Sequence, residues 1–197
     1  NLKQMDSRFL QQKENSMRKL ERAKKNEEVD PEILSLLDFI NSLPDFYTTS
    51  SCSGRICLLH DVGSKRDNDW LGKWHRRVEF DEVITALEEI PDNGLIWFKY
   101  EPTILHIVAR ELDGAAEILR IARNSGFKRA GIMALKKGRN MVEICSTERI
   151  DTPLVRDGIL LVDSEYIRYL IELANKQFEK GRKRLKRLEN AFLNELS

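Results

Sequence analysis

Apolar residues are sparse over the first 25 positions. Phe9, Leu10, Met17 and Leu20 form one thin stripe among charged neighbours, which predicts a solvated helix over 6–25. "NEEVDPE" interrupts it. Asp30 followed by Pro31 reads as a cap and a first-turn proline, and Ile33, Leu36, Leu37 and Ile40 then recur at helical spacing until Pro44. The period then changes. "RICLLH", 55–60, reads as a strand, 61–69 as a polar loop, and 82–90 as a short helix capped by Asp81 and stopped by Pro91. "DNG", 92–94, marks a turn before two strands, 95–100 and 103–110, bent at Pro102. A helix over 113–124 closes at Gly126, and "KRAGIMALKKGRNMVEICS" reads as strand, turn, strand. From 164 to 196, Ile167, Leu170, Ala174, Phe178, Gly181, Leu185, Leu188 and Phe192 keep steps of three and four, the mark of one long helix.

This order predicts an α+β fold with a largely antiparallel sheet, flanked by N-terminal helices and a long C-terminal helix. Paired strands followed by a helix occur twice in the middle region and suggest an internal duplication. The expected organisation is a single domain, 1–197, with N-terminal helices over 1–44, a sheet region over 45–150 and a helical segment over 151–197.

Composition narrows the partners. The 197 residues carry a net charge of +1, so any nucleic-acid affinity must come from a local cluster. The densest is "KGRKRLKR", 180–187, with Arg182, Lys183, Arg184 and Arg187 and no acidic residue, which suits a phosphate backbone. Three cysteines with no CxxC pair argue for a reducing, cytoplasmic setting. Residues 1–10 are too polar for a signal peptide, and no apolar run approaches a membrane span.

The absence of any GxG removes the Rossmann and Walker loops, and His60, His75 and His106 show no zinc-ligand spacing, so no metal is expected. Three constellations remain. The first is "TTSSCSGR", in which Thr48, Thr49, Ser50, Ser51 and Ser53 lead into Gly54 and Arg55. Hydroxyls suit a ligand of mixed donors and acceptors, glycine admits close approach, and arginine grips a carboxylate or phosphate. A capped turn is the plainer alternative. The second is "WLGKWH", where Trp70, Lys73, Trp74 and His75 could stack on and hold a base, or where one tryptophan is core. The third is "FKYEPTILHIVAR", placing Lys99 and Glu101 on one strand face with His106 beyond the proline; mutual pairing of Lys99 and Glu101 is the alternative.

"FYTTSSCSGRI", "WL" with a histidine four residues on, and "FKYEPTILHI", in this order, together with "SGFKRAGI", resemble the tRNA wybutosine-synthesizing protein 3 family from about residue 30 onward. The resemblance implies an S-adenosylmethionine-dependent methyltransferase acting on a ring nitrogen of the 4-demethylwyosine-type base beside the anticodon of tRNA-Phe, with no membrane and no obligate protein partner. On this reading, Thr49, Ser50, Ser51, Ser53, Gly54, Arg55, Lys99 and Glu101 are expected to bind the donor. Proton removal would fall to His75, His106 or Glu101, and tRNA contact to Trp70, Lys73, Trp74, Arg182, Lys183, Arg184 and Arg187. A non-catalytic RNA-binding module and a hydrolase using Cys52 or a serine remain the alternatives.

Overall fold

The computed structural model describes residues 2–196, with side chains from Ser7 onward. Its elements are α1 (Leu2–Lys25), α2 (Pro31–Ser42), β1 (Phe46–Cys52), β2 (Arg55–Asp61), β3 (Asp69–Trp74), α3 (Phe80–Ala86), β4 (Leu95–Glu101), β5 (Ile104–Ala109), α4 (Leu112–Asn124), β6 (Gly131–Lys136), β7 (Arg139–Cys145), β8 (Ile150–Arg156), β9 (Ile159–Leu160) and α5 (Ser164–Glu195). The strands form two antiparallel sheets, ordered β1-β5-β7-β6 and β3-β2-β4-β8-β9. The α+β class, the antiparallel strands and the flanking helices are as the periodicity predicts.

The chain divides into two compact units, each discontinuous in sequence. The first takes the chain up to Ser53, Thr103–Thr147 and the part from Arg182 on; the second takes Gly54–Pro102 and Glu148–Gly181. In the first, Leu105, Ile107, Val142 and Ile144 of the four-stranded sheet bury against Ile33, Leu36, Leu37 and Ile40 of α2, Ile118 and Ile121 of α4, and Leu185, Leu188 and Phe192 of α5. A separate cluster of Phe9, Tyr47 and Val108, with Met141 against it, packs α1 onto the sheet, the Phe9 and Tyr47 rings lying 5.3 Å apart. The stripe on α1 therefore buries Phe9 and leaves Leu10 exposed. In the second unit, Ile56, Leu58, Ile96, Phe98 and Tyr100 bury against Val83 of α3 and Ile167, Leu170, Ala174 and Phe178 of α5.

Several expectations are corrected. Strands 95–101 and 104–109 do not pair with each other: β4 lies between β2 and β8, and β5 between β1 and β7, so the twice-repeated strand pair is not present in the hydrogen bonding. The segment 151–197 is not wholly helical, because β8 and β9 extend the second sheet before α5 begins. The helix expected over 82–90 runs from Phe80 to Ala86 and is capped by Glu79, whose side chain and that of Glu82 form a reciprocal box, rather than by Asp81. The Asp30 side chain makes no cap hydrogen bond, although Pro31 does open α2.

Candidate active site

The hydroxyl run, for which a capped turn was the plainer alternative, is itself most of edge strand β1. Its polarity comes from a break in the ladder: the register against β5 shifts between Thr48 and Ser51, leaving Thr49 and Ser50 exposed. Thr48 is fixed by Asn41, whose Oδ1 accepts from the Thr48 N–H at 2.9 Å and whose Nδ2 donates to its Oγ1 at 2.8 Å. Ser53 is buried, and its N–H and Oγ both donate to Asp30 Oδ2, at 2.8 and 2.7 Å. Thr103 Oγ1 donates to the Ser53 carbonyl at 2.8 Å. The Asp30 side chain is thus turned to Ser53 and makes no cap hydrogen bond, while its carbonyl accepts from the Ile33 N–H at 3.1 Å. Gly54 has φ +112°, a conformation that side chains resist, so the glycine is needed by the backbone itself.

Thr49, Ser50 and Ser51 open onto a cavity of about 680 Å³ in the first unit. Gln12, Asn15, Ser16 and Lys19 of α1, Glu28, and Arg139 of β7 line the rest of its polar wall. In the same unit His106 Nε2 lies 2.8 Å from Glu143 Oε2, its cross-strand neighbour on β7. Arg182 Nη1 pairs with Glu32 at 2.5 Å, and Arg184 Nη1 donates to Ser146 Oγ at 2.9 Å; Lys183 and Arg187 are exposed.

In the second unit, one sheet face carries a line of charges. Arg55 Nε donates to Glu101 Oε2 at 2.6 Å across the β2–β4 register. Lys99 Nζ reaches Asp151 Oδ1 of β8 at 2.6 Å. Arg149 joins the two pairs: its Nε donates to Asp151 Oδ2 at 2.7 Å, and its Nη2 stands 3.8 Å from Glu101 Oε1. Lys99 and Glu101 therefore do not satisfy each other. Burial works to raise the Asp151 carboxyl, but hydrogen bonds from Lys99 and Arg149 prevail and hold it below the usual carboxylate range. Cys57, fully buried on β2, has its thiol pushed up to about 12, by burial first and then by Glu101, with Arg55 and Lys99 too weak to offset them. A thiol so placed is inert.

The two tryptophans of β3 separate. Trp74 packs against the second unit's core, its ring lying over Gly72, where any Cβ would fall 2.1 Å from Cη2. Trp70 is 36 % exposed, with the Arg55 guanidinium 4.7 Å and the Lys73 ammonium 6.0 Å from its ring centroid. His75 follows β3 directly and is half-buried.

Of the candidates, Thr49, Ser50, Ser51, Ser53, His106 and the 182–187 cations belong to the first unit. Gly54, Arg55, Trp70, Lys73, Trp74, His75, Lys99 and Glu101 belong to the second. Sequence reasoning missed Asp30 as the partner of Ser53, Glu143 as that of His106, Arg139, and the pair Arg149 and Asp151. "RIDTP" repeats the charge-at-i-and-i+2 pattern of Lys99 and Glu101, and that was the available signal.

Residues 11–194 match the family described as Methyltransferase TYW3. The chain is 43 % identical over 183 residues to a Thermococcus kodakarensis protein, covering 92 % of each, and 40 % identical over 187 residues to one from Thermococcus sibiricus, covering 94 % of each. Both are named tRNA(Phe) 7-((3-amino-3-carboxypropyl)-4-demethylwyosine(37)-N(4))-methyltransferase, the first with the suffix 1. A solved structure of a Pyrococcus horikoshii protein superposes with a TM-score of 0.90 at 37 % identity, covering 98 % of this chain and 97 % of that one. One from Aeropyrum pernix gives 0.70 at 29 %, covering 82 % and 95 %. Two antiparallel sheets and these matches define a methyltransferase that is not built on the Rossmann plan. The chain belongs to the TYW3 methyltransferase family. Such an enzyme requires a methyl donor. Among the described residues no helix is long and apolar enough to cross a membrane.

Proposed function

We propose that the protein moves a methyl group from S-adenosylmethionine to the N-4 ring nitrogen of the 4-demethylwyosine-type base at position 37 of tRNA(Phe). The observation that carries this reading is the family match over residues 11–194, with relatives about 40 % identical along almost their whole length named for this reaction. A cavity of about 680 Å³ lies within the range of small-molecule sites, roughly 300–1,000 Å³. Its hydroxyls, amides, guanidinium and carboxylate are the kinds of group a nucleoside bearing a carboxylate and an amine requires. The donor fits such a wall, with Thr49, Ser50 and Ser51 holding it and Ser53 keeping the strand in place through Asp30.

When bound, the sulfonium donor supplies a methyl group already activated for transfer. What the chain contributes is orientation, an effect worth on the order of 7–11 kcal/mol when reacting atoms are well aligned. Within the second unit, Trp70 presents an exposed ring on which a base can stack, with the Arg55 and Lys73 cations beside it. Lys99 and Glu101 are positioning residues, Glu101 by holding Arg55. The methyl group replaces hydrogen on nitrogen, so one proton must leave. His106 is suited to accept it, because Glu143 holds its Nε2 and orients the ring; His75 is the second candidate.

The test is mass spectrometry of nucleosides from hypomodified tRNA incubated with protein and donor. A gain of one methyl on the tricyclic base is expected, and it should survive Cys52→Ala, which a cysteine nucleophile would not. No gain with folded protein and the correct tRNA refutes the proposal. Binding of tRNA without binding of donor would leave only a non-catalytic RNA-binding module.

A further inference from the structure

Several cations of this chain are answered by acids: Lys24 by Asp38, Arg76 by Glu82, Arg77 by Glu179, Arg120 by Glu195 and Arg182 by Glu32. One segment gathers cations with no acid of its own. Between Glu117 and Glu143 there is no acidic residue, and the stretch contains α4's end, the whole of β6 and the β6–β7 turn. Lys128, Arg129, Lys136 and Lys137 are all exposed, and among the described residues none of them forms an ion pair. A fifth cation joins them from α5. Gly126, at φ +101°, closes α4 so tightly that Arg187 Nη2 lies 3.3 Å from where a Cβ would stand. The Arg187 guanidinium therefore reaches the α4–β6 turn, the segment that carries Lys128 and Arg129.

The strand between these charges is the edge of its sheet, with one side unpaired by any described strand. It carries Met133 and Leu135, each 60 % exposed. An apolar edge of this kind could pair with a second copy of the chain, but a two-fold contact would bring the two sets of unpaired cations together, which is repulsive. The charge instead complements a polyanion. Cations stand at both ends of a strand that spans roughly 17 Å at about 3.3 Å per residue, a length over which a nucleic-acid strand presents several phosphates.

We propose that the β6 edge, with Lys128, Arg129 and Arg187 at one end and Lys136 and Lys137 at the other, is the surface on which the tRNA backbone docks. This rests on the tRNA reading above and extends it. Of the 180–187 tract, Arg187 is the member that serves this surface; Arg182 and Arg184 are engaged with Glu32 and Ser146. The contact is to phosphate, so it positions the substrate without reading its sequence.

The test is tRNA binding as a function of salt, measured without donor so that it does not depend on catalysis. For Lys136→Gln with Lys137→Gln, two lost phosphate contacts lower the salt slope by roughly 0.7–0.9 each, which is a 25- to 60-fold loss of affinity at about 0.1 M salt. Lys128→Gln with Arg129→Gln should behave alike, and Arg156→Gln, an exposed cation of the other unit, should change nothing. Methyl-donor affinity should be unaltered in every variant, and circular dichroism should report the unchanged fold expected of exposed substitutions. Wild-type affinity and slope in both double variants would overturn the proposal, as would absence of tRNA binding by the wild type or an equal loss with Arg156→Gln. If tRNA binds this way but no methyl is transferred, the catalytic reading fails and the docking surface stands.

Discussion

Gly72→Ala should destabilise the second unit through one identifiable clash. An added Cβ would sit 2.1, 2.7 and 2.8 Å from Cη2, Cζ2 and Cζ3 of Trp74. Carbon pairs favour about 3.5–4.0 Å, so the indole would have to retreat by more than ~1 Å from a core it packs against. Overpacking of this kind costs about 1–3 kcal/mol. Two things could oppose it. Replacing glycine inside a strand gains roughly 0.5–1 kcal/mol of backbone entropy, and Gly72 has no left-handed φ that alanine would strain. The clash is the larger effect, so the net change is a loss. At about 2–4 °C per kcal/mol for a chain of this size, melting should fall by ~2–12 °C if the clash dominates fully. All three tryptophans belong to the second unit, so their fluorescence reports its unfolding specifically. The decisive measurement is a double-mutant cycle with Trp74→Leu. Once the indole is gone, Gly72→Ala should become neutral or stabilising. Equal destabilisation in both backgrounds would refute the packing argument.

Trp70→Ala should leave thermal stability unchanged while weakening tRNA binding by about 1–3 kcal/mol, the usual worth of one base stacked on an aromatic ring; Trp70→Phe should recover part of it in the same assay. Asn175→Leu should cost about 1–3 kcal/mol in urea denaturation, because the buried Asn175 amide donates to the Val78 carbonyl and accepts from its N–H, at 2.9 and 3.0 Å, and both would lose their partner. Cys57 should resist iodoacetamide at pH 8 in the native protein and react only on unfolding. Its thiol titrates near 12 in the fold against a reference of 9.0, so the stability it contributes is intact below about pH 9 and declines as pH rises towards 12. Comparison with Cys57→Ala in alkaline denaturation should remove that part of the slope.

The helices were legible because their apolar residues recur at three and four, and because proline and glycine mark their ends; Pro31 and Gly126 do what their positions suggest. The strands that escaped notice share a physical reason. β1 and β3 carry polar or charged residues where one side is open, and β8 contains Pro153, which a sheet interior normally excludes. There the proline sits beside a register shift against Ile96 and Trp97, the kind of position that tolerates it. Pairing of β4 with β5 was the natural reading of two strands joined by Pro102, since a hairpin and a crossing between sheets look identical in alternation alone. At the candidate site, residue types were readable but partners were not. His106 meets Glu143 and Lys99 meets Asp151 only because strands distant in sequence lie side by side, and Asp30 meets Ser53 only because the start of α2 lies against the end of β1.

The chain passes from one unit to the other after Ser53, Pro102, Thr147 and Gly181. During synthesis the second unit therefore has all its parts once Gly181 has emerged, whereas the first, whose residues up to Ser53 emerge before any of the second, still lacks Leu185, Leu188 and Phe192 from its core. The unit begun earlier is the unit completed later, and α1 and α2 must wait in the nascent chain for the later turns of α5.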